Sequence, residues 1–128
     1  MSTYLENAKK QAKENTFFRK VLATSDKTQV VAMSLKPGED IGLETHPDND
    51  QVLFCVTGKG ECVVDGETHS FEKGDIMLVS AGAEHNFTNT DEDEMKILTT
   101  YSPPHHADGT VHETKADAEA AEAAEHSH

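Results

Sequence analysis

Two histidines, one glutamate and one glutamine have the residue types and spacing of a divalent-metal site. Glu44 and His46 are separated by one residue, so in a β-strand both side chains point to the same face. Two imidazoles and a carboxylate leave positions on a metal open for a substrate, and an amide oxygen adds a weak neutral ligand. The sequence therefore predicts one divalent transition metal (Mn, Fe, Ni, Co or Zn) at Glu44, His46, Gln51 and His85. The alternative is a merely polar interior, although burying Glu44 without a cation would be costly.

The elements that must position these residues are short antiparallel strands. Between residues 17 and 101 the apolar residues recur with a period of two, and turn residues recur roughly every 8–12 positions, as in a sandwich or barrel. Because no helical stretch separates the strands, a parallel α/β sheet is excluded. The predicted strands are 17–23, 28–35, 42–46, 51–57, 60–65, 67–71, 75–79, 84–90 and 95–101.

The strongest hairpin signal is Asp65-Gly66, which lies between two alternating segments. A two-residue turn there places Cys62 opposite His69. If the strands form a jelly roll, the ribbon folds around this hairpin and the same register continues outwards. It then places Leu53 opposite Leu78 and His46 opposite His85, with bulges at the corners able to shift the outer pairs by a residue or two.

The two ends differ from the middle in composition. Residues 1–16 form a polar N-terminal arm, either a short surface helix or a frayed end, and residues 17–101 form the barrel. Residues 102–128 begin with a Pro-Pro loop and continue into an Ala/Glu-rich helix or tail.

Charge and composition restrict the function classes. The formal net charge is −13, which excludes nucleic acid and an anionic membrane surface as expected partners. The longest apolar run, Val52 to Val56, is far too short for a membrane helix, and the polar N-terminus does not resemble a secretory signal. We therefore expect a cytoplasmic protein whose two cysteines stay reduced.

A resemblance to the small single-domain cupins, with their RmlC-like jelly roll, rests on two motifs. The first cupin motif is matched by Gly38-x5-Glu44-x-His46-x4-Gln51-x6-Gly58 and the second by Gly74-x5-Ser80-x-Gly82-x2-His85-x3-Asn89. The resemblance implies an all-β fold, an antiparallel double-stranded β-helix (jelly-roll) barrel with short helical or frayed ends. It also implies a homodimer and one divalent metal bound at the four motif positions, Glu44, His46, Gln51 and His85.

This chain departs from the motif pattern at three positions. Cupins usually have His at the position of Glu44, Glu at the position of Gln51 and Pro at the position of Ser80. The first two departures together resemble an exchange that moves the carboxylate and preserves one anionic ligand.

The functional hypothesis is a non-redox metal enzyme of isomerase or tautomerase type on a small sugar-like or carbonyl substrate, polarised by the metal. Two alternatives are an Fe(II) cupin dioxygenase and a non-catalytic module that binds a small ligand. The proton-transfer group stays open among His69, Tyr101, His105, His106 and His112. Because the chain has a single arginine, Arg19, an uncharged or weakly charged substrate is expected.

Overall fold

Two antiparallel sheets enclose the core. A computed structural model describes residues 3–126. The helices are α1 (Ala8–Glu14) and α2 (Lys115–His126), and the strands are β1 (Arg19–Thr24), β2 (Gln29–Leu35), β3 (Glu44–Thr45), β4 (Asp50–Thr57), β5 (Lys59–Val64), β6 (Glu67–Glu72), β7 (Ile76–Val79), β8 (Glu84–Asn89), β9 (Met95–Ser102) and β10 (Val111–His112). The sheets have the orders β10-β1-β2-β9-β4-β7 and β3-β8-β5-β6. This confirms the predicted all-β jelly roll with short helical ends.

The β5–β6 hairpin has the predicted turn and register. Asp65 and Gly66 both have positive φ, +48° and +82°, as a type I′ turn requires. Cys62 pairs with His69, as predicted from the two-residue loop. The hairpin is therefore specified by its local sequence.

Beyond the hairpin, the predicted register is wrong by one and then by two residues. Val52, not Leu53, lies opposite Leu78. Glu44, not His46, lies opposite His85. The first shift comes from an extra residue between Cys55 and Thr57, where β4 also bulges against β9. The second arises because the corner before β4 is one residue longer than the corner before β8.

The core lies between the two sheets and includes apolar side chains from both. Phe71 and Phe87 of the smaller sheet meet edge to face, with ring centroids 4.9 Å apart. Leu53 and Ile97 of the larger sheet are fully buried. The strand predicted at 42–46 is reduced to Glu44–Thr45, after Gly42 turns the chain at φ +113°.

The N-terminal segment contains a helix that packs on the barrel. Asn7 caps α1, and its side-chain oxygen accepts a hydrogen bond from the backbone N–H of Lys10 at 2.9 Å. Ala12 is buried, and the helix contacts β2, β4 and β9. Of the two predicted alternatives for this arm, the structure has the helix.

The C-terminal segment returns to the barrel. Val111 and His112 form β10, a strand that the sequence did not predict, and pair with Lys20 and Arg19 of β1. α2 follows, with Ala118 buried at 2% exposure. Across residues 3–126, no helix is both long and apolar enough to cross a bilayer.

Candidate metal centre

Glu44, His46 and His85 converge at one end of the barrel. Glu44 on β3 is the direct partner of His85 on β8, and His46 follows β3 by one residue. One ligand atom from each of the three side chains lies within 4.8 Å of the other two. His46 and His85 are buried, at 7% and 3% exposure, and the Glu44 side chain is 21% exposed. These three predicted ligands therefore come together even though the strand register is shifted.

Glu44 and His46 are in direct contact. His46 Nε2 lies 2.8 Å from Glu44 Oε2, at ion-pair distance, and within the described part of the chain this buried nitrogen has no hydrogen bond of good geometry. Burial raises the pKa of Glu44, but His46, Arg19 and His85 outweigh that effect, so its pKa lies below the usual range. Glu44 is therefore an ionised carboxylate at neutral pH.

His85 and Gln51 complete the centre from the barrel interior. His85 Nδ1 lies 2.9 Å from the carbonyl oxygen of Ala83, which only accepts hydrogen bonds, so Nδ1 carries the proton. His85 Nε2 then faces Gln51 Oε1 at 3.0 Å, while the Gln51 amide nitrogen donates to Thr99 Oγ1 at 3.0 Å. With Nδ1 protonated, Nε2 offers a lone pair beside the amide oxygen of Gln51, and a divalent cation binds both types of atom. The donor set therefore fits a divalent ion, with the usual backbone partner behind a metal-ligating histidine.

A cavity of about 400 Å³ opens beside this centre. Its walls come from β1, β3, β10, the loop after β9 and α2. The lining residues are Arg19, Leu43, Glu44, Thr45, His46, His105, His106, Ala107, Thr110, His112, Ala121 and Glu122. The space suits a small molecule.

Comparison with known proteins assigns the family. The cupin domain model (Cupin_2) matches residues 31–101, which include all four predicted ligand positions. The chain is a cupin. It is 43% identical over 126 residues to the uncharacterized protein YrkC of Bacillus subtilis, covering 93% of this chain and 67% of that protein.

A solved structure shares nearly the whole fold of this cupin. BH2720 from Bacillus halodurans superposes with a TM-score of 0.92 at 38% identity, covering 93% of this chain and 95% of that one. More distantly, the cupin is 26% identical to a protein of Thermotoga maritima named oxalate-binding protein, over 52% of this chain and 54% of that one.

The loop after β9 and the strand β10 that follows it bring three of the five proposed proton-transfer candidates to this cupin's cavity. His105, His106 and His112 line it, whereas His69 lies on β6 outside that lining with its side chain 49% exposed. Buried Gln29 holds the loop, because its Oε1 accepts from the backbone N–H groups of His105 at 3.3 Å and His106 at 3.0 Å.

Two ring side chains near the centre, Tyr101 and His106, have pKa values shifted in opposite directions. His105 meets His46 edge-on at 4.4 Å between centroids and stacks with Tyr101 at 5.5 Å. Burial raises the pKa of Tyr101, so its phenol stays protonated at neutral pH. Burial and the nearby Arg19 lower the pKa of His106 to about 3, so its imidazole stays neutral. Tyr101 is thus a hydrogen-bond donor and His106 a weak base.

Arg19 is a cavity residue that the sequence analysis did not place at the site. Its side chain is 1% exposed. It pairs with buried Met33 across the sheet and alternates with buried Val21 on β1, so strand periodicity was the available signal.

Proposed function

We propose that this cupin is a divalent-metal-dependent, non-redox enzyme of isomerase or tautomerase type on a small sugar-like or carbonyl substrate. The observation that carries the proposal is that ligand atoms of Glu44, His46 and His85 lie within 4.8 Å of one another, and that Glu44 and His46 line a cavity of about 400 Å³. Gln51 Oε1, 3.0 Å from His85 Nε2, offers a fourth oxygen without adding charge.

The side chains divide the work between holding the ion and moving a proton. A bound divalent ion would supply Lewis acidity to a substrate oxygen. Glu44 contributes the one anionic ligand, so the loaded site keeps a net positive charge that favours developing negative charge on the substrate. His105 is the proton carrier in this proposal, because it is solvent-accessible, lines the cavity and contacts His46.

Hydrogen–deuterium exchange tests this chemistry directly. Metal-loaded protein is incubated without oxygen in D₂O with small aldoses, ketoses and 2-oxo acids, and NMR follows the C–H next to each carbonyl. We expect exchange with at least one compound and, since general acid–base groups typically contribute 10²–10⁴-fold, a loss of at least about 100-fold in His105→Gln.

The matched control is His69→Gln, which changes an exposed histidine outside the cavity. It is expected to exchange at the wild-type rate, and both variants are expected to retain metal. Equal exchange rates in wild type and His105→Gln would contradict the assignment of His105.

The ligand set also supports a second candidate, an Fe(II) dioxygenase. Two histidines and one carboxylate with open positions are the ligands of non-haem iron oxygenases. Oxygen consumption by the iron-loaded protein with a diketone or thiol, and no deuterium exchange, would favour this candidate. The name of the Thermotoga relative supports the third, a module that binds a small oxygen-rich ligand without turnover.

A further inference from the structure

Arg19 is a buried cation with weak hydrogen bonding. Its side chain is 1% exposed and its guanidinium carbon lies 5.3 Å from the centre of the Phe18 ring, but among the described residues its Nε has no hydrogen-bond partner. Its Nη1 lies 3.3 Å from His112 Nδ1, a weak neutral contact, and 3.8 Å from Glu122 Oε1, beyond hydrogen-bond distance. Burying a charge is expensive unless it is paired and hydrogen-bonded, so this arrangement is unfavourable without a further anion.

The position of Arg19 shows where such an anion would lie. Arg19 and Glu44 line the same cavity, so an anion at Arg19 would lie beside the metal centre. Among the described cavity residues the carboxylates are Glu44 and Glu122, so a bound divalent ion and Arg19 would bring three positive charges against two negative ones. The loaded cavity therefore favours a monoanion locally, although the chain as a whole is acidic.

Glu122 places a carboxylate of the protein itself near Arg19, where the anion would bind. It lies on α2 and is 45% exposed, so it approaches Arg19 from the solvent side of the cavity. α2 is attached to the barrel near its start, through buried Ala118 and the ion pair between Lys115 and Asp40. Glu122 is thus well placed to give way to an incoming anion.

We infer that Arg19 binds the carboxylate of a small anionic substrate, and that Glu122 on α2 competes for the same guanidinium. This assignment rests on the proposed function and names its substrate class: a small carboxylate that also carries a carbonyl or hydroxyl oxygen for the metal. It replaces the uncharged substrate expected from the scarcity of arginine. The competing explanation is that Arg19 only joins β1 to β10 and α2.

Titration calorimetry with glycolate, and with its neutral isostere glycolamide, separates the two explanations. We expect Arg19→Gln to weaken glycolate binding by at least about tenfold, since hydrogen bonds to charged groups are worth that much. Glu122→Gln should tighten glycolate binding about three- to fivefold, because a half-exposed ion pair competes only weakly. Glycolamide binding should change in neither variant.

The matched control is Glu119→Gln, which removes one charge from the same helix at a residue that pairs with Lys115 instead. It should leave glycolate binding unchanged. In the double variant Arg19→Gln/Glu122→Gln, the gain from Glu122→Gln should disappear, because the two side chains act on one site.

The outcomes are separable from those of the proposed function. Titrations with and without Mn²⁺, beside elemental analysis, show whether the metal binds, whereas the dependence on Arg19 and Glu122 tests the anion site. Equal effects of Glu122→Gln and Glu119→Gln, or equal losses of glycolate and glycolamide in Arg19→Gln, would overturn the inference. If Arg19→Gln does not fold, the comparison of Glu122→Gln with Glu119→Gln decides between the two explanations.

Discussion

Gln51→Glu is expected to make the stability of the fold depend more strongly on a bound cation. Gln51 is 2% exposed, lies 3.0 Å from His85 Nε2 and donates to Thr99 Oγ1. The substitution loses the donated hydrogen bond, about 1 kcal/mol, and buries a second carboxylate beside Glu44, which costs roughly a few kcal/mol more. We expect a net loss of about 2–4 kcal/mol in metal-free protein, or about 6–15 °C in Tm for a chain of this size.

A bound divalent ion reverses this loss, because it pairs with the new carboxylate. Calorimetric melting after EDTA treatment, and again with Mn²⁺, Ni²⁺ or Zn²⁺, should show a larger metal-induced rise in Tm for Gln51→Glu than for wild type. The matched control is Gln29→Glu, at another fully buried glutamine, which holds the loop after β9 through His105 and His106. It should destabilise the protein without rescue by metal. Equal rescue of both variants, or of neither, would refute the placement of Gln51 at the ion.

Three further predictions concern pH, association and thiol reactivity. Burial and Arg19 hold the pKa of His106 at about 3. Between pH 6.5 and 3 the unfolded chain therefore binds more protons than the folded one, and His106 lowers the free energy of unfolding by about 1.4 kcal/mol per pH unit of acidification. Denaturant titrations of His106→Asn should lack that slope, and an unchanged slope would exclude His106 as its source. The homodimer stays a prediction, and the exposed apolar Phe54, Ile76 and Leu78 at the β7 edge give it a surface. Sedimentation of Leu78→Asp should show a monomer if that edge is the interface, whereas a dimer would exclude it. Burial raises the pKa of Cys55 to about 11, so mass spectrometry should find its alkylation by iodoacetamide at pH 7.5 far slower than in the unfolded protein; equal rates would contradict its burial.

The fold was predictable because its signals are local. Strand alternation and turn residues recur along the whole middle segment, and Asp65-Gly66 determined both the type and the register of one hairpin. The outer register was not predictable to the residue, since it depends on the bulge at Cys55–Thr57 and on one extra residue in a corner. Sequence patterns do not report such insertions, because a bulge needs no characteristic residue.

The candidate site was predictable in part, because the meeting of three of its side chains does not depend on the exact strand register. Glu44, His46 and His85 come together even though the predicted pairing was two residues off, because the ends of β3 and β8 still meet. The contribution of β10 and α2 to the cavity wall was not predicted, because it depends on tertiary packing of the C-terminal segment. β10 and α2 contain few large apolar residues, so nothing in their sequences indicates that they cover the barrel mouth or that Arg19 lies beneath them.

Elemental analysis of freshly purified protein tests the central claim, that residues distant in sequence form one cation site. Wild type should contain close to one divalent transition metal per chain. Glu44→Ala and His85→Ala should each lose most of it, while His69→Ala, at an exposed histidine outside the cavity, retains it. Retention of metal in either site variant, with the fold intact by circular dichroism, would contradict the site.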